Sequence, residues 1–189
     1  TSAQVMEIRN YLRRKGFKSE IFAQDVEKRM ELEANRLDVK RPEPGSVLIY
    51  HHAIGSDLVK FLKKHEGIKG IIYHNITPSS YFRKYNPVLA RLTDLGREQL
   101  HVLKDLVHLS YGVSEYNCNE LKNAGFSDPE ILPIIVDPKK WDIPLEPTIR
   151  EKYHQDKRQN ILFVGRISPN KCQKELVQMQ FYLKQVMPD

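Results

Sequence analysis

The sequence predicts an α/β protein built on a Rossmann-like, doubly wound parallel sheet, and three observations carry that prediction. Short apolar runs of strand length (47–50, 70–73, 109–113 and 131–136) alternate with longer stretches patterned as helices, the arrangement of buried parallel strands joined by crossover helices. A Gly-Phe pair leads from helix to strand twice, at Gly16-Phe17 and Gly125-Phe126, which argues for repeated αβ units. Two of the strands end in the same apolar-apolar-Tyr-His signature, at Tyr50-His51 and Tyr73-His74.

Taken in order, Thr1-Ser2 can cap a helix whose apolar residues Val5, Ile8 and Leu12 recur at helical spacing. Arg13, Arg14 and Lys15 load its last turn with positive charge, and Gly16 fits the position just beyond it. Phe17 to Phe22 reads as a strand, and the charged stretch from Asp25 to Arg36 reads as a short helix. After the loop Pro42-Glu-Pro-Gly45, the strand Val47 to Tyr50 runs into His51-His52-Ala-Ile-Gly55. A helix then starts at Ser56-Asp57, with Leu58, Phe61 and Leu62 on its buried face.

The strand Gly70 to Tyr73 follows and ends in His74-Asn75-Ile-Thr-Pro78. Asn86-Pro87 is a strong start for a long helix with Leu89, Leu92, Leu100, Leu103 and Val107 on one stripe and Gly96 allowing close approach. Leu109 to Val113 is a short strand, and Ser114 opens a helix that closes at Gly125. The strand Ile131 to Val136 leads to Asp137-Pro-Lys-Lys-Trp141 and a linker punctuated by Pro138, Pro144 and Pro147. Last come a strand from Ile161 to Val164, a polar loop ending at Lys171, and a helix with Leu176, Met179 and Leu183 on one face. The expected organisation is a domain over 1–137, a linker over 138–159, and a βα unit of a second domain over 160–189.

Composition narrows the function classes. The chain is 40% hydrophobic and 29% charged, ordinary for a globular protein, and no apolar run approaches the roughly 20 residues that span a bilayer. Two isolated cysteines, Cys118 and Cys172, form no disulfide framework and suit a reducing cytoplasm. The net charge of +6 admits anionic partners. Cations cluster at Lys60, Lys63 and Lys64 and recur at Lys69, Arg83, Lys84, Arg91 and Arg97. No nucleic-acid module with interleaved aromatics accompanies them, so the alternatives are a solvated helix face and the anionic surface of a membrane.

In open α/β sheets, ligands bind beyond the carboxyl ends of the strands. The residues expected there are His51, His52, His74 and Ser114, with Arg166 beyond the linker. Neighbouring strand residues point to opposite faces, so His51 and His52 are poorly placed to share one metal ion, and no metal site is expected. The loop Gly165-Arg166-Ile-Ser-Pro-Asn-Lys171 offers backbone N–H groups at a helix start, a planar guanidinium and a point charge, a combination suited to a diphosphate. No Asp-x-Asp, Walker loop, Gly-x-Gly-x-x-Gly or Gly-x-Ser-x-Gly occurs, which withdraws support from metal-dependent glycosyltransferases, NTPases, dehydrogenases and serine hydrolases.

The wording of that loop, Phe163-Val-Gly-Arg-Ile-Ser-Pro-Asn-Lys171, resembles the opening of the donor-binding domain in family-4 (group 1) glycosyltransferases of the GT-B fold. Tyr73-His-Asn-Ile-Thr-Pro78, Val113-Ser-Glu-Tyr-Asn117 and Ile131-Leu-Pro-Ile-Ile-Val-Asp137 resemble successive segments of its acceptor domain, in the same order. The resemblance implies a metal-independent, retaining enzyme that needs no cofactor and moves a sugar from a nucleotide-sugar donor to a glycan or lipid-linked acceptor. It gives Arg166, Lys171 and Gly165 the donor diphosphate and places His74 against the transferring sugar as the catalytic residue. His51, Asp57, Thr77, Tyr81 and Ser114 become candidates for the acceptor cleft. A cytoplasmic enzyme, peripheral on the inner face of a membrane, fits such acceptors.

The chain departs from the family pattern in three places. Cys172 stands where the family has Gly after the Lys. The family's first strand and Gly-rich loop precede the helix at which this chain starts, and its Glu-x7-Glu segment lies past Asp189. The chain is therefore expected to be a fragment without turnover of its own, its sheet closing a gap by rearrangement, by a strand from another copy or by one from a separate peptide. The competing readings are a non-catalytic Rossmann-like module that binds an anion or nucleotide, and a sugar-nucleotide epimerase of related architecture.

Overall fold

The computed structural model describes residues 2–138, 142–144, 146–155 and 160–187. By packing, the chain divides into two compact units, Thr1–Val136 and Asp137–Asp189. Each is described by itself.

The first unit opens with helix α1 (Ser2–Arg14). The expected cap at Thr1 lies outside the described residues, but the C-terminal end follows its sequence signal. Gly16 adopts φ 85°, and the Phe17 N–H donates back to the Leu12 carbonyl at 3.0 Å, the reverse turn that satisfies orphan carbonyls. The most buried residues of α1 are polar. Arg9 is 6% exposed and reaches the Glu33 carboxylate at 2.6 Å and the Glu33 carbonyl at 2.8 Å, tying α1 to the loop that leads into strand β2 (Asn35–Arg36).

Three sequence expectations are corrected in this unit. Only Phe22–Ala23 forms strand β1, because Phe17 is exposed and lacks a partner strand to cover it. The region 25–36 is not a helix: it contains a single 3-10 turn, Lys28–Met30, and then β2. Its few apolar residues give no helical stripe, and Leu32 stands fully in solvent, so nothing anchors a longer helix. The run from Ile131 to Val136 contributes only its start to strand β6 (Glu130–Ile131). Pro133 has no N–H to give a ladder, and Ile134, Ile135 and Val136 are exposed.

The central feature is a four-strand, all-parallel sheet in the order β3-β4-β5-β6, formed by β3 (Leu48–His52), β4 (Lys69–Tyr73), β5 (Leu109–Gly112) and β6. Helices α2 (Leu58–Lys64), α3 (Pro87–Leu103) and α4 (Glu115–Asn123) alternate with the strands, giving the Rossmann-like architecture the sequence predicts. β1 and β2 pair with each other, in parallel, as a separate two-strand sheet. No strand of the two-strand sheet pairs with the four-strand sheet, which is itself continuous.

The register places Tyr50 opposite Ile71 and His52 opposite Tyr73, so these four side chains share one face. That face carries the core, where Tyr50, Ile71, Tyr73 and Ile76 pack with Val59, Leu62, Leu100, Leu103, Leu121 and Phe126. Val59, rather than Leu58 or Phe61, joins Leu62 in the buried side of α2. The inner stripe of α3 is Ala90, Thr93, Gly96, Leu100 and Leu103, which leaves Leu92 at the surface. Gly96 is required by contact: a Cβ there would lie 2.6 Å from the Gly55 nitrogen and 2.8 Å from Ile76 Cδ1. At the start of α3, Asn86 Oδ1 accepts from the Leu89 N–H at 3.0 Å, as its position before Pro87 suggests.

The second unit contains helix α5 (Pro147–Gln155), a 3-10 turn at Pro169–Lys171, and helix α6 (Gln173–Val186). The linker expected over 138–159 thus contains a helix, and the expected Trp141 segment lies outside the described residues. The expected strand Ile161 to Val164 does not form. A strand is made by its neighbours' hydrogen bonds, and no described segment pairs with this one. Its Ile161 and Phe163 instead line a shallow groove with Leu176, Val177, Met179 and Gln180 of α6. Among the described residues no helix is long and apolar enough to cross a membrane.

Candidate functional site at the carboxyl edge of the sheet

Strand β3 runs two residues further than its apolar core suggests, so His51 and His52 belong to the strand. His51 pairs in register with Ile72, and His74 lies two residues beyond Ile72, on the same face. Both rings therefore come together: His51 Nδ1 lies 3.2 Å from His74 Nε2, with the rings stacked at 5.5 Å between centroids. A hydrogen bond between two imidazole nitrogens needs one N–H and one bare nitrogen, so the pair cannot be doubly protonated. Burial pushes His51 down to about 4, with the His74 ring adding to the effect. Burial likewise pushes His74 down to about 4. Near neutral pH the site thus presents two uncharged imidazoles that can donate or accept a hydrogen bond without bringing a cation.

His52 points the other way and is fully buried. Its Nε2 donates to the Gly96 carbonyl at 2.8 Å, which leaves Nδ1 to accept from the Tyr50 hydroxyl at 3.1 Å. Tyr50 then accepts from Ser56 Oγ at 3.1 Å. The loop after β3 is also held on α3 by a two-point amide clasp, with the Ser56 N–H donating to Gln99 Oε1 at 3.1 Å and Gln99 Nε2 donating to the Ser56 carbonyl at 2.8 Å. His52 is a structural residue whose work is to fix this loop beside His51.

A second polar cluster holds the segment after β4. Arg97 Nη2 donates to the Ile76 carbonyl at 2.5 Å, and Arg97 Nη1 meets Glu120 Oε1 at 3.1 Å. Glu120 Oε2 accepts from the Tyr73 hydroxyl at 3.1 Å, and burial together with the adjacent carboxylate raises the Tyr73 hydroxyl above its ordinary range. Sequence reasoning treats Arg97 as one more surface cation and passes over Glu120. The signal for Arg97 is its place next to Gly96, on the inward side of α3, where an unpaired charge would be costly.

The remaining candidates divide. Ser114 caps α4, its Oγ donating to Asn117 Oδ1 at 2.8 Å and accepting from the Asn117 N–H at 3.3 Å. Asp57 is committed to Lys60 at 2.8 Å on the outside of α2. Thr77 is half-buried after His74, and Tyr81 stands exposed on the 3-10 turn Ser79–Tyr81. Of the acceptor-cleft candidates, only His51 is joined to His74 by a direct contact.

In the second unit, Gly165, Arg166 and Lys171 are exposed. Gln173 Nε2 donates to the Arg166 carbonyl at 2.6 Å, closing the loop over the start of α6. Cys172 adopts φ 55° and ψ 40°, the left-handed conformation that Gly takes freely and other residues take at a cost of roughly 1–2 kcal/mol. The turn after Lys171 therefore has a glycine-type backbone with a cysteine in it. Among the described residues, no group of three or more His, Cys, Asp or Glu side chains is arranged to hold a metal ion.

No protein-family model, no curated protein and no solved structure matches the chain.

Proposed function

We propose that the chain carries the acceptor side and the diphosphate loop of a metal-independent, retaining glycosyltransferase of GT-B type. The observation that carries the reading is the neutral His51–His74 pair at the carboxyl edge of a parallel sheet. A sugar hydroxyl is uncharged, and a neutral imidazole whose other nitrogen is already engaged is a directional partner for it. The wording of the loop Gly165 to Lys171 and the glycine-type turn at Cys172 support a diphosphate at the start of α6, where Arg166 and Lys171 would neutralise it.

In this reaction the bond from the anomeric carbon to the diphosphate oxygen breaks as the acceptor oxygen bonds to that carbon. The electron pair leaves with the nucleoside diphosphate, which also takes up the acceptor's proton. Arg166 and Lys171 stabilise the charge that develops on the leaving group, and His74 holds a hydroxyl of the sugar. The acceptor is a glycan or a lipid-linked sugar.

The test is a screen of nucleotide-sugars by thermal shift, followed by product analysis on the enzyme that contains this chain. Sugar transfer to an acceptor is the expected outcome. An epimerised sugar nucleotide would replace this reading with an epimerase, and binding without product would replace it with a binding module.

A further inference from the structure

We propose that His51 and His74 form a two-histidine binding site for a divalent transition-metal ion, with zinc as the type case. Along the chain His51 has His52 as its neighbour, and the two point to opposite faces of the sheet. In the fold its partner is His74, which lies two residues beyond Ile72, the residue in register with His51. Two imidazoles from adjacent strands thus stand side by side on one face.

Their separation fits a chelated ion. Zinc binds imidazole nitrogen at about 2.0–2.1 Å in tetrahedral geometry, which sets two such nitrogens roughly 3.4 Å apart. His51 Nδ1 and His74 Nε2 are 3.2 Å apart, so a small turn of the rings, taking their lone pairs off the line between them, admits the ion. Nothing holds the rings against that turn from outside. Nε2 of His51 and Nδ1 of His74 have no hydrogen-bond partner among the described residues. His51 also stays partly open to solvent, which gives the ion a way in.

The donor set selects the class of metal. Among the described residues no Asp, Glu or Cys joins the pair to make a group of three, so the site offers two nitrogens and leaves the other positions to water. Magnesium and calcium take oxygen ligands, whereas imidazole suits zinc, copper and nickel. His52 does not compete, because the Tyr50 hydroxyl and the Gly96 carbonyl already engage both its nitrogens.

The protons balance without an external base. Each neutral ring carries one N–H, and the hydrogen bond between the rings uses one of the two. When the ion enters, that proton moves to the outer nitrogen of the same ring, and none leaves the site. Both outer nitrogens are then donors, where the metal-free pair presents one donor and one acceptor. Occupancy therefore changes the hydrogen bonds that this edge can make, and it brings a cation to a neutral site. The inference goes beyond the glycosyltransferase reading, because metal binding needs no transfer chemistry.

The experiment is calorimetric titration of this chain with zinc chloride at neutral pH, with magnesium chloride as the control. Histidine ring signals are followed by NMR in parallel. A single zinc equivalent is expected to bind, the His51 and His74 signals moving together, while magnesium does not bind. His51→Ala and His74→Ala should each weaken zinc binding about tenfold or more, because one imidazole then holds the ion alone. His101→Ala, at an exposed position on α3, should leave it unchanged. Circular dichroism checks that each variant is folded, and the ring signals of the unaltered chain decide the matter where one is not. Absence of zinc binding, equal binding of magnesium, ring shifts confined to other histidines, or undiminished binding in folded His51→Ala and His74→Ala variants would overturn the proposal.

Discussion

The runs Gly70-Ile-Ile-Tyr73 and Ile161-Leu-Phe-Val164 are nearly interchangeable as text, and the molecule treats them in opposite ways. In the first, Ile71, Ile72 and Tyr73 are at most 1% exposed, between strands β3 and β5 and under the helices. In the second, Leu162 and Val164 are more than 80% exposed and no ladder forms. The difference lies outside either run. β4 has a partner on both edges, so each backbone group it buries is satisfied, and its side chains meet a core that hydrophobic burial stabilises. The segment 161–164 has one helix beside it and no partner strand among the described residues. An apolar run of strand length states a potential; the neighbours decide whether it is realised.

That contrast can be broken hardest at Gly96. A valine there would drive its side chain into the Gly55 backbone, and overpacking against main chain costs about 3 kcal/mol or more. Chemical denaturation should show a loss of that size, while Leu162→Asp in the second unit should change stability by no more than about 0.5 kcal/mol. A Leu162→Asp variant as damaged as Gly96→Val would mean that the two segments are equally load-carrying.

A loss of about 3 kcal/mol is expected for Arg97→Leu, which leaves the part-buried Glu120 carboxylate without its cation. Replacing Glu120 with Gln in the same chain should recover part of that loss, because the orphaned charge is then gone. Failure of the second change to recover anything would show that Arg97 acts through the Ile76 carbonyl alone.

The pH dependence sharpens the comparison further, since the rings concerned lie only in the first unit. His51 and His74 titrate near 4 when folded and near 6.5 when unfolded. Between those values the unfolded chain takes up protons that the folded chain refuses. Stability is therefore full above pH 6.5, falls as pH drops toward 4, and levels off below. For the first proton that the coupled pair takes up, the shift corresponds to about 3 kcal/mol. A His51→Asn/His74→Asn variant should lose most of that slope in a denaturation series across pH 7 to 4. An unchanged slope would assign it to other groups.

How much was legible in the sequence follows the same division. The alternation of strands and helices, the Asn86 cap, the close approach at Gly96 and the turn at Gly16 are local or periodic signals, and the structure realises each of them. The lengths of β1 and β6 were not legible, because they depend on which neighbour reaches them and on the N–H that Pro133 lacks. The region 25–36 misled because a charged stretch resembles an exposed helix until packing is known.

For the site, the repeated Tyr-His ending marked both rings but not their meeting. That requires the register His51 to Ile72, a long-range quantity. Arg97 and Glu120 were illegible as a pair for the same reason, being 23 residues apart and on different helices, α3 and α4.

The most direct test of the site is turnover of the enzyme containing this chain, with and without His74, on the nucleotide-sugar found by the donor screen. His74→Ala is expected to fold and to lower kcat about a hundredfold, the equivalent of roughly 2–4 kcal/mol for a hydrogen bond that strengthens in the transition state. Near-parental turnover in a folded His74→Ala variant would contradict this expectation and leave the His51–His74 pair a structural feature of the sheet edge.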